Sequence, residues 1–231
     1  LGFEDLKKVK PDIIMLSSSA LGSTGPYRTH VGYAPIFAAL GGLAEMTGSP
    51  DGPPVTLSGS VDMRSATMSA FAMLAALNQR QRTGEGQHID LSSVETCAAL
   101  IGHLFTEYQV TGRAPHRAGN DERPFAPNNS YPCRDGQFVS ISIACEEEWQ
   151  ALRAALGEPE WTRDERFSDA RRRWRNRRAL DDLLATWTRE RSTDETTTLL
   201  QKAGVPATPC FGTKGLAHNS HLEERGFFAT V

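Results

Sequence analysis

The segment FEDLKKVKPDIIMLSSSALGSTGP, residues 3–26, carries the pattern that predicts the fold class. Apolar residues recur at helical spacing over residues 3–9 until Pro11 ends the pattern, and the apolar run 13–16 that follows is typical of a buried strand. The Ser- and Gly-rich residues 17–26 then predict a turn in which short side chains let a ligand come close to the backbone. Open α/β sheets bind ligands in loops beyond the carboxyl ends of their strands, so this stretch indicates an α/β domain with a ligand site.

A long helix and a second strand are predicted further along the chain. Apolar residues between Asp62 and Arg82 fill more than one face of a helix, so we expect this helix to be substantially buried. Residues 83–86, TGEG, end the helix, and the half-apolar residues 87–91 are typical of a short strand. Residues 94–110 predict one further helical run, within which Cys97 is expected in the core. The apolar residues of the long helix are Met63, Ala66, Met68, Ala70, Met73, Leu74 and Leu77.

A change in composition towards Gly, Pro, Asn and charge between Thr111 and Pro132 predicts a domain boundary. We expect a large domain in residues 1–115, a linker or flap loop in residues 116–130 and a small domain in residues 131–231.

The small domain is predicted to mix helices with a hairpin. Apolar residues alternate over residues 131–143 around the turn Asp135-Gly136, which is a hairpin pattern. Residues 146–156 and 179–200 are amphipathic, as in surface helices, and residues 205–211 are typical of another strand. The predicted fold class is therefore α/β, with a larger α/β domain joined to a smaller α+β domain.

Composition excludes several functional classes. The 231 residues carry a net charge of −3, so no global positive field attracts nucleic acid or anionic lipid, and we expect neither as a partner. The apolar stretches are shorter than the ~20 residues of a membrane span. Four cysteines without C-x-x-C spacing predict a reducing, cytoplasmic location. The six histidines show no H-E-x-x-H spacing, so we expect no metal site.

Short motifs occur along the whole chain: residues 23–27 (STGPY), 32–33 (GY), 47–48 (TG), 51–54 (DGPP), Asp62, 80–87 (RQRTGEGQ), 89–92 (IDLS), 135–136 (DG), 203–206 (AGVP) and 225–228 (RGFF). Together they resemble the motifs of the family III coenzyme A transferases, which include formyl-CoA transferase, carnitine CoA-transferase and α-methylacyl-CoA racemase. The resemblance implies a Rossmann-like large domain, partial here because the family's first βα segment and its C-terminal return segment are missing, so the chain is expected to be the middle of such a protein. It also implies a homodimer of two interlocked rings.

The resemblance places Asp62 at the position of the family's aspartate nucleophile. The implied reaction transfers coenzyme A from an acyl-CoA to a carboxylic acid through an aspartyl anhydride and an aspartyl-CoA thioester, with no metal and no prosthetic group. On the residues alone, the favoured interpretation of Asp62 is a helix N-cap, because Asp is a preferred cap and gains from the helix dipole, and it is the resemblance that favours the nucleophile.

The stretch Val31, Gly32, Tyr33 and Ala34 aligns with a coenzyme-contacting segment of formyl-CoA transferase, although Val31 stands where that enzyme has Lys. Tyr33 also occupies the place of the catalytic His of the racemase branch. Because a phenol is a poor proton carrier near neutral pH, racemisation is disfavoured but remains the alternative activity. Tyr33 is equally interpreted as a core aromatic whose hydroxyl finds a partner.

Two segments keep competing interpretations. Residues 116–129 align with a flap over the active site of formyl-CoA transferase, or form a solvated connector. The run RRRWRNRR, Arg171–Arg178, fits an RNA or phosphate site, but we favour a solvated helix paired with nearby acids. The acids are Asp164, Glu165, Asp169, Asp181 and Asp182. A non-enzymatic alternative for the whole chain is an inactive interaction module that uses this arginine run.

Overall fold

The computed structural model describes residues 2–57 and 59–229; Leu1, Ser58, Thr230 and Val231 lie outside the described part. The chain divides into two compact units, Leu1–Gly119 and Asn120–Val231. This division falls within the segment 116–130, whose composition predicts a linker.

The first unit is an α/β unit built on two parallel strands. Within the described residues its elements are α1 (Phe3–Val9), β1 (Met15–Ser19), α2 (Ala34–Leu40), α3 (Ser60–Thr83), β2 (His88–Ser92), α4 (Ser93–Leu100) and α5 (Gly102–Thr111). Strands β1 and β2 pair in parallel, with Met15 opposite His88 and Ser19 opposite Ser92. Gly86, just before β2, comes so close to β1 that an added Cβ would overlap the carbonyl oxygen of Ile13. The α/β prediction is confirmed.

Helix α3 has the predicted length but not the predicted burial. It runs for 24 residues and ends at Gly84, which takes the left-handed conformation that favours glycine (φ +75°). Only Val61, Ser65 and Ala76 are buried among its described residues. The expectation of a substantially buried helix is wrong because α3 packs on β1, β2, α2 and α4 from one side, and Phe71 on another side is 69% exposed.

The predicted helical run 94–110 is two helices. Ile101 leaves the helical conformation at φ −104° and ψ 20°, and separates α4 from α5. Helix α4 begins at a side-chain cap, in which Ser92 Oγ accepts a hydrogen bond of 3.3 Å from Glu95 N. Cys97 is fully buried, as expected.

The second unit is an α+β unit around an antiparallel sheet. Its described elements are β3 (Asn128–Pro132), β4 (Phe138–Ser142), α6 (Glu146–Ala155), two short 3-10 helices (Glu160–Arg163 and Glu165–Phe167), α7 (Ala170–Arg175), α8 (Arg177–Thr188), α9 (Thr193–Lys202), β5 (Ala207–Pro209), α10 (Thr213–Ala217) and α11 (Ser220–Glu224). The sheet order is β3-β4-β5, so the predicted hairpin around Asp135-Gly136 is confirmed. Asp135 fixes the turn by accepting from Gln137 N at 3.2 Å and from Thr193 N at 2.8 Å.

The core of the second unit lies between this sheet and the helices. Its fully buried side chains come from β4, α6, the second 3-10 helix, α8 and α9, and include Val139, Ile141, Trp149, Leu152, Phe167, Leu180, Leu184 and Leu200.

Candidate active site

The first turn of α3 lies at the edge of the sheet where the parallel strands end. At the far end of the helix, Arg80 Nη1 donates to the carbonyl oxygen of Asp12 at 3.4 Å, just before β1 begins. Near its start, Ser65 Oγ donates to Ser93 Oγ at 3.1 Å, just after β2 ends. Helix α3 therefore runs antiparallel to both strands, and its N-terminus reaches the carboxyl edge at which α/β proteins bind ligands.

Asp62 is the third residue of α3 and its side chain is exposed. The helix cap is Gly59, in the left-handed conformation (φ +74°), so the interpretation of Asp62 as an N-cap is wrong. Gly59 has no side chain. Among the described residues, therefore, no side-chain oxygen caps the amide groups in the first turn of α3. The exposed carboxylate thus lies at the positive end of a 24-residue helix, an arrangement that also favours negative charge developing next to it.

The stretch Val31–Ala34 is brought to the same place. Ala34 opens α2 and belongs to one buried cluster with Ala38, Cys97 and Val61, the residue before Asp62. Val31 is 94% and Tyr33 is 83% exposed, so the interpretation of Tyr33 as a core aromatic is wrong. The side chains of Val31 and Tyr33 are therefore exposed to solvent next to the start of α3.

Close packing behind this cluster depends on a glycine. An added Cβ at Gly41 would stand 2.6 Å from Cys97 Cβ and 2.8 Å from the carbonyl oxygen of Val94, so α2 can meet α4 only without a side chain there. Burial raises the pKa of the Cys97 thiol. This thiol is therefore a packing group and not a nucleophile.

The loop after β1 is held at the same edge, by residues that the sequence did not single out individually. Ala20 O accepts from Val94 N at 3.1 Å, and Ser19 Oγ accepts from Gly22 N at 2.9 Å. Asp90 in β2 accepts from Ser23 N at 2.9 Å and from Ser23 Oγ at 3.0 Å. The signal available in the sequence was the motif IDLS, residues 89–92, whose alternation puts Asp90 and Ser92 on one face of the strand.

The arginine run lies in the second unit, where three of its six arginines, Arg172, Arg173 and Arg177, pair with carboxylates of the described residues. Arg172 pairs with Glu165 and Asp169, as expected for a solvated helix. Arg173, in contrast, is 1% exposed: its guanidinium lies 4.7 Å from the ring centroid of Trp149 and donates to Glu146 at 2.8 Å.

The other pairings predicted for the run differ in their partners. Arg177 pairs with Asp121 at 2.6 Å, and Asp164 pairs with Arg166 instead of the run. Asp181 accepts from Tyr131 and Asn129, which carry no charge.

Residues 120–129, at the start of the second unit, are held in place by hydrogen bonds and an ion pair of polar side chains. Asn120 Nδ2 donates to Asn129 Oδ1 at 2.8 Å, and Asn128 Nδ2 donates to the carbonyl oxygen of Asn120 at 2.7 Å. With the Asp121–Arg177 pair, these bonds fit a fixed connector, whereas the flap role stays a prediction.

Residues 2–57 and 59–229 contain neither a cluster of metal-binding side chains nor a membrane-spanning helix. No group of three or more His, Cys, Asp or Glu side chains is placed to hold a metal ion. No helix in this part of the chain has both the length and the hydropathy needed to cross a membrane.

The first unit is thus an α/β unit with an exposed carboxylate in the first turn of a helix, next to an exposed segment at the strand ends. A family model described as CoA-transferase family III matches residues 1–231. The chain belongs to CoA-transferase family III, as its motifs predict.

Individual relatives agree with this membership. The chain is 37% identical over 226 residues to succinyl-CoA–D-citramalate CoA-transferase of Chloroflexus aurantiacus, covering 97% of this chain and 56% of the relative. It is 32% identical over 235 residues to succinyl-CoA:mesaconate CoA-transferase of Haloarcula marismortui, covering 100% and 58%. The crystal structure of a CaiB/BaiF family protein from Brucella suis superposes with a TM-score of 0.86 at 32% identity, covering 98% of this chain and 60% of that one. The chain thus spans somewhat more than half the length of these relatives.

Proposed function

We propose that the full-length protein transfers coenzyme A from an acyl-CoA thioester to a carboxylic acid, with Asp62 as the nucleophile. The observation that carries the proposal is the position of Asp62, exposed in the first turn of α3 at the carboxyl edge of the strands. A nucleophile has to reach a bulky thioester, which a buried carboxylate could not do.

The chemistry balances without water, metal or redox partner. A carboxylate oxygen of Asp62 attacks the thioester carbonyl, the C–S bond breaks, and coenzyme A leaves as thiolate from a mixed anhydride. The thiolate attacks the Asp62 carbonyl, which releases the donor acid and leaves an aspartyl-CoA thioester. The acceptor carboxylate attacks that thioester to form a second anhydride, and the thiolate then attacks the acceptor carbonyl and frees Asp62.

The helix start is suited to these steps. Each attack places negative charge on a carbonyl oxygen, and the amides and dipole at the start of α3 favour charge at that point. Such preorganised donors cost no rearrangement during the reaction.

The substrate class proposed is a small acid carried as its thioester. Support comes from the names of the two relatives above, both of which use succinyl-CoA with a short dicarboxylic or hydroxydicarboxylic acid. The proposed coenzyme contacts are Val31, Gly32, Tyr33 and Ala34, which lie in or beside the cluster that holds Val61. Tyr33 offers a phenol, so the site has no imidazole at this position for racemisation.

We further propose that the full-length enzyme is a cytoplasmic homodimer. The free state of all four cysteines supports a reducing location, and the family resemblance supports the interlocked dimer. Light scattering that finds a stable, active monomer would contradict the dimer.

The proposal is tested with Asp62→Asn in the full-length protein. We expect turnover to collapse while the fold persists, because the amide cannot form the anhydride and the exposed side chain makes no cap. Incubation of the unsubstituted enzyme with acyl-CoA and no acceptor should accumulate a covalent species, which hydroxylamine converts to a hydroxamate at Asp62 in a peptide map.

Glu85→Gln is the matched control, because Glu85 is an exposed carboxylate just beyond the opposite end of α3. It should leave turnover unchanged. A folded Asp62→Asn enzyme with substantial activity, together with no trappable adduct in the parent, would overturn the assignment.

A further inference from the structure

An exposed strap, defined as residues 23–33, connects the loop after β1 to α2. Every residue from Ser23 to Val31 is exposed. The strap's internal contacts are local: His30 N donates to Tyr27 O at 2.8 Å, and the rings of Tyr27 and His30 stack with their centroids 4.6 Å apart. The strap ends where Ala34 becomes buried at the start of α2.

The other end of the strap is fixed by one carboxylate. Both oxygens of Asp90 lie within 3.1 Å of Ser23 N, and Oδ1 also accepts from Ser23 Oγ at 3.0 Å. Among the hydrogen bonds of the described residues, Tyr33 O accepts from Ile36 N and Phe37 N of α2 at one end of the strap, and the bonds to Asp90 join its other end to β2. Bonds to an ionised carboxylate are stronger than bonds between neutral groups, so a single side chain is sufficient as an anchor.

We propose that Asp90 is a positioning residue for coenzyme A binding, which it serves by anchoring the strap that carries Val31, Gly32 and Tyr33. The inference rests on the proposed function, because it takes 31–34 as the coenzyme contact. With both ends held, the strap is preorganised. Without Asp90, the nearest hydrogen bonds on that side are those of Gly22 N to Ser19 Oγ and of Val94 N to Ala20 O, so the strap from Ser23 onward loses its own anchor and binding has to order it.

The consequence is an effect on binding and not on the chemical step. Asp90→Ala in the full-length protein should raise KM for acyl-CoA and Kd for coenzyme A about tenfold, the size expected when binding must order a released segment. The rate constant kcat should stay within about twofold, because Asp62 is carried by α3 and not by the strap.

Two conservative variants separate positioning from charge. Asp90→Asn should restore most of the affinity, since its amide oxygen accepts from Ser23 N and its NH₂ group donates to Ser23 Oγ. Ser23→Ala keeps the hydrogen bonds from the backbone N–H of residue 23 to Asp90 and loses the one from Ser23 Oγ. Its KM for acyl-CoA should therefore fall between those of the parent and Asp90→Ala.

His88→Ala is the matched control. His88 lies two residues earlier on the same strand, and its Nε2 is 2.9 Å from Ser17 Oγ, so the variant also removes a side-chain bond between β1 and β2. His88→Ala should lower the thermal midpoint without changing KM.

The outcomes separate this inference from the proposed function. An unchanged KM in Asp90→Ala, or an equal rise in His88→Ala, would overturn the role of Asp90. Hydroxamate formation at Asp62 in Asp90→Ala at saturating acyl-CoA would show that the nucleophile is intact, whereas its absence in the parent would contradict the proposed function itself. If Asp90→Ala does not fold, the KM of Ser23→Ala decides the question in the same way.

Discussion

Replacing Tyr131 by Phe tests how the second unit holds the half-buried carboxylate of Asp181. Tyr131 is 1% exposed, and its hydroxyl donates to Asp181 Oδ1 at 2.5 Å, while Asn129 Nδ2 donates to Oδ2 at 3.0 Å. Burial raises the pKa of the Asp181 carboxyl, as do the neighbouring charges of Asp121 and Asp182, and the bonds from Tyr131 and Asn129 lower it. The substitution removes the Tyr131 hydroxyl, one of the two hydrogen-bond donors that lower the pKa of Asp181.

The expected cost depends on pH. Above the folded-state pKa of Asp181 the variant loses a hydrogen bond to an ionised group, which is worth about 2 kcal/mol, whereas below that pKa it loses a bond to a neutral carboxyl, worth about 1 kcal/mol. The direction of this pH dependence follows from the linkage between protonation and folding. A carboxyl whose pKa is higher in the folded state holds its proton longer there, so its contribution to stability is present below the ordinary Asp pKa and is lost as the pH rises through the folded value. Tyr131→Phe raises that folded value further, so its cost grows as the pH rises.

The assay is urea unfolding of the full-length protein and of Tyr131→Phe, followed by circular dichroism at several pH values from about 4 to 7, with the slope m compared between proteins. Tyr108→Phe is the control, because Tyr108 is 53% exposed on α5 and its substitution should change the free energy of unfolding by less than about 0.5 kcal/mol. A cost that is constant across the pH range, or larger near pH 4, would refute the description of Asp181 as an ionised acceptor.

Two further pairs of variants probe packing and charge. Gly86→Ala should destabilise the protein by about 3 kcal/mol, because its Cβ would overlap the carbonyl oxygen of Ile13. Gly102→Ala has no atom within 4 Å of the new Cβ and should be neutral or stabilising by up to about 1 kcal/mol in thermal unfolding. Glu146→Gln should cost about 2 kcal/mol, because it leaves the buried Arg173 guanidinium without its charged partner. Glu165→Gln removes the exposed partner of Arg172 and should change urea midpoints little; equal effects of the two would contradict this reasoning.

Local patterns were sufficient to predict the elements that frame the site. The switch from apolar residues at helical spacing to an apolar run predicted α1 and β1, and Asp135-Gly136 between alternating residues predicted the β3–β4 hairpin. Each of these patterns reflects interactions between residues that are close in sequence. Such elements are determined mainly by helix, strand and turn propensities.

The errors concern interactions between distant residues or departures from regular backbone. The start of α3 was placed at Asp62 because Asp is a good cap, but the left-handed Gly59 starts the helix earlier. The arginine run was expected to be solvated, yet Arg173 is buried because Glu146 and Trp149, 27 and 24 residues away, provide a carboxylate and a ring. The hydrogen bonds from Ser23 to Asp90 span 67 residues, so no local pattern could predict them.

The division of the chain into two units has a spectroscopic consequence. All four tryptophans, Trp149, Trp161, Trp174 and Trp187, belong to Asn120–Val231, and residues 1–119 contain none. Three of these indoles lie beside guanidinium groups: Trp174 has Arg123 at 4.2 Å and Arg177 at 4.5 Å from its ring centroid. Intrinsic indole fluorescence therefore reports the second unit alone, and the ellipticity of the backbone reports both. During unfolding, a change in ellipticity before any change in fluorescence indicates that the first unit unfolds first. This comparison needs no added label.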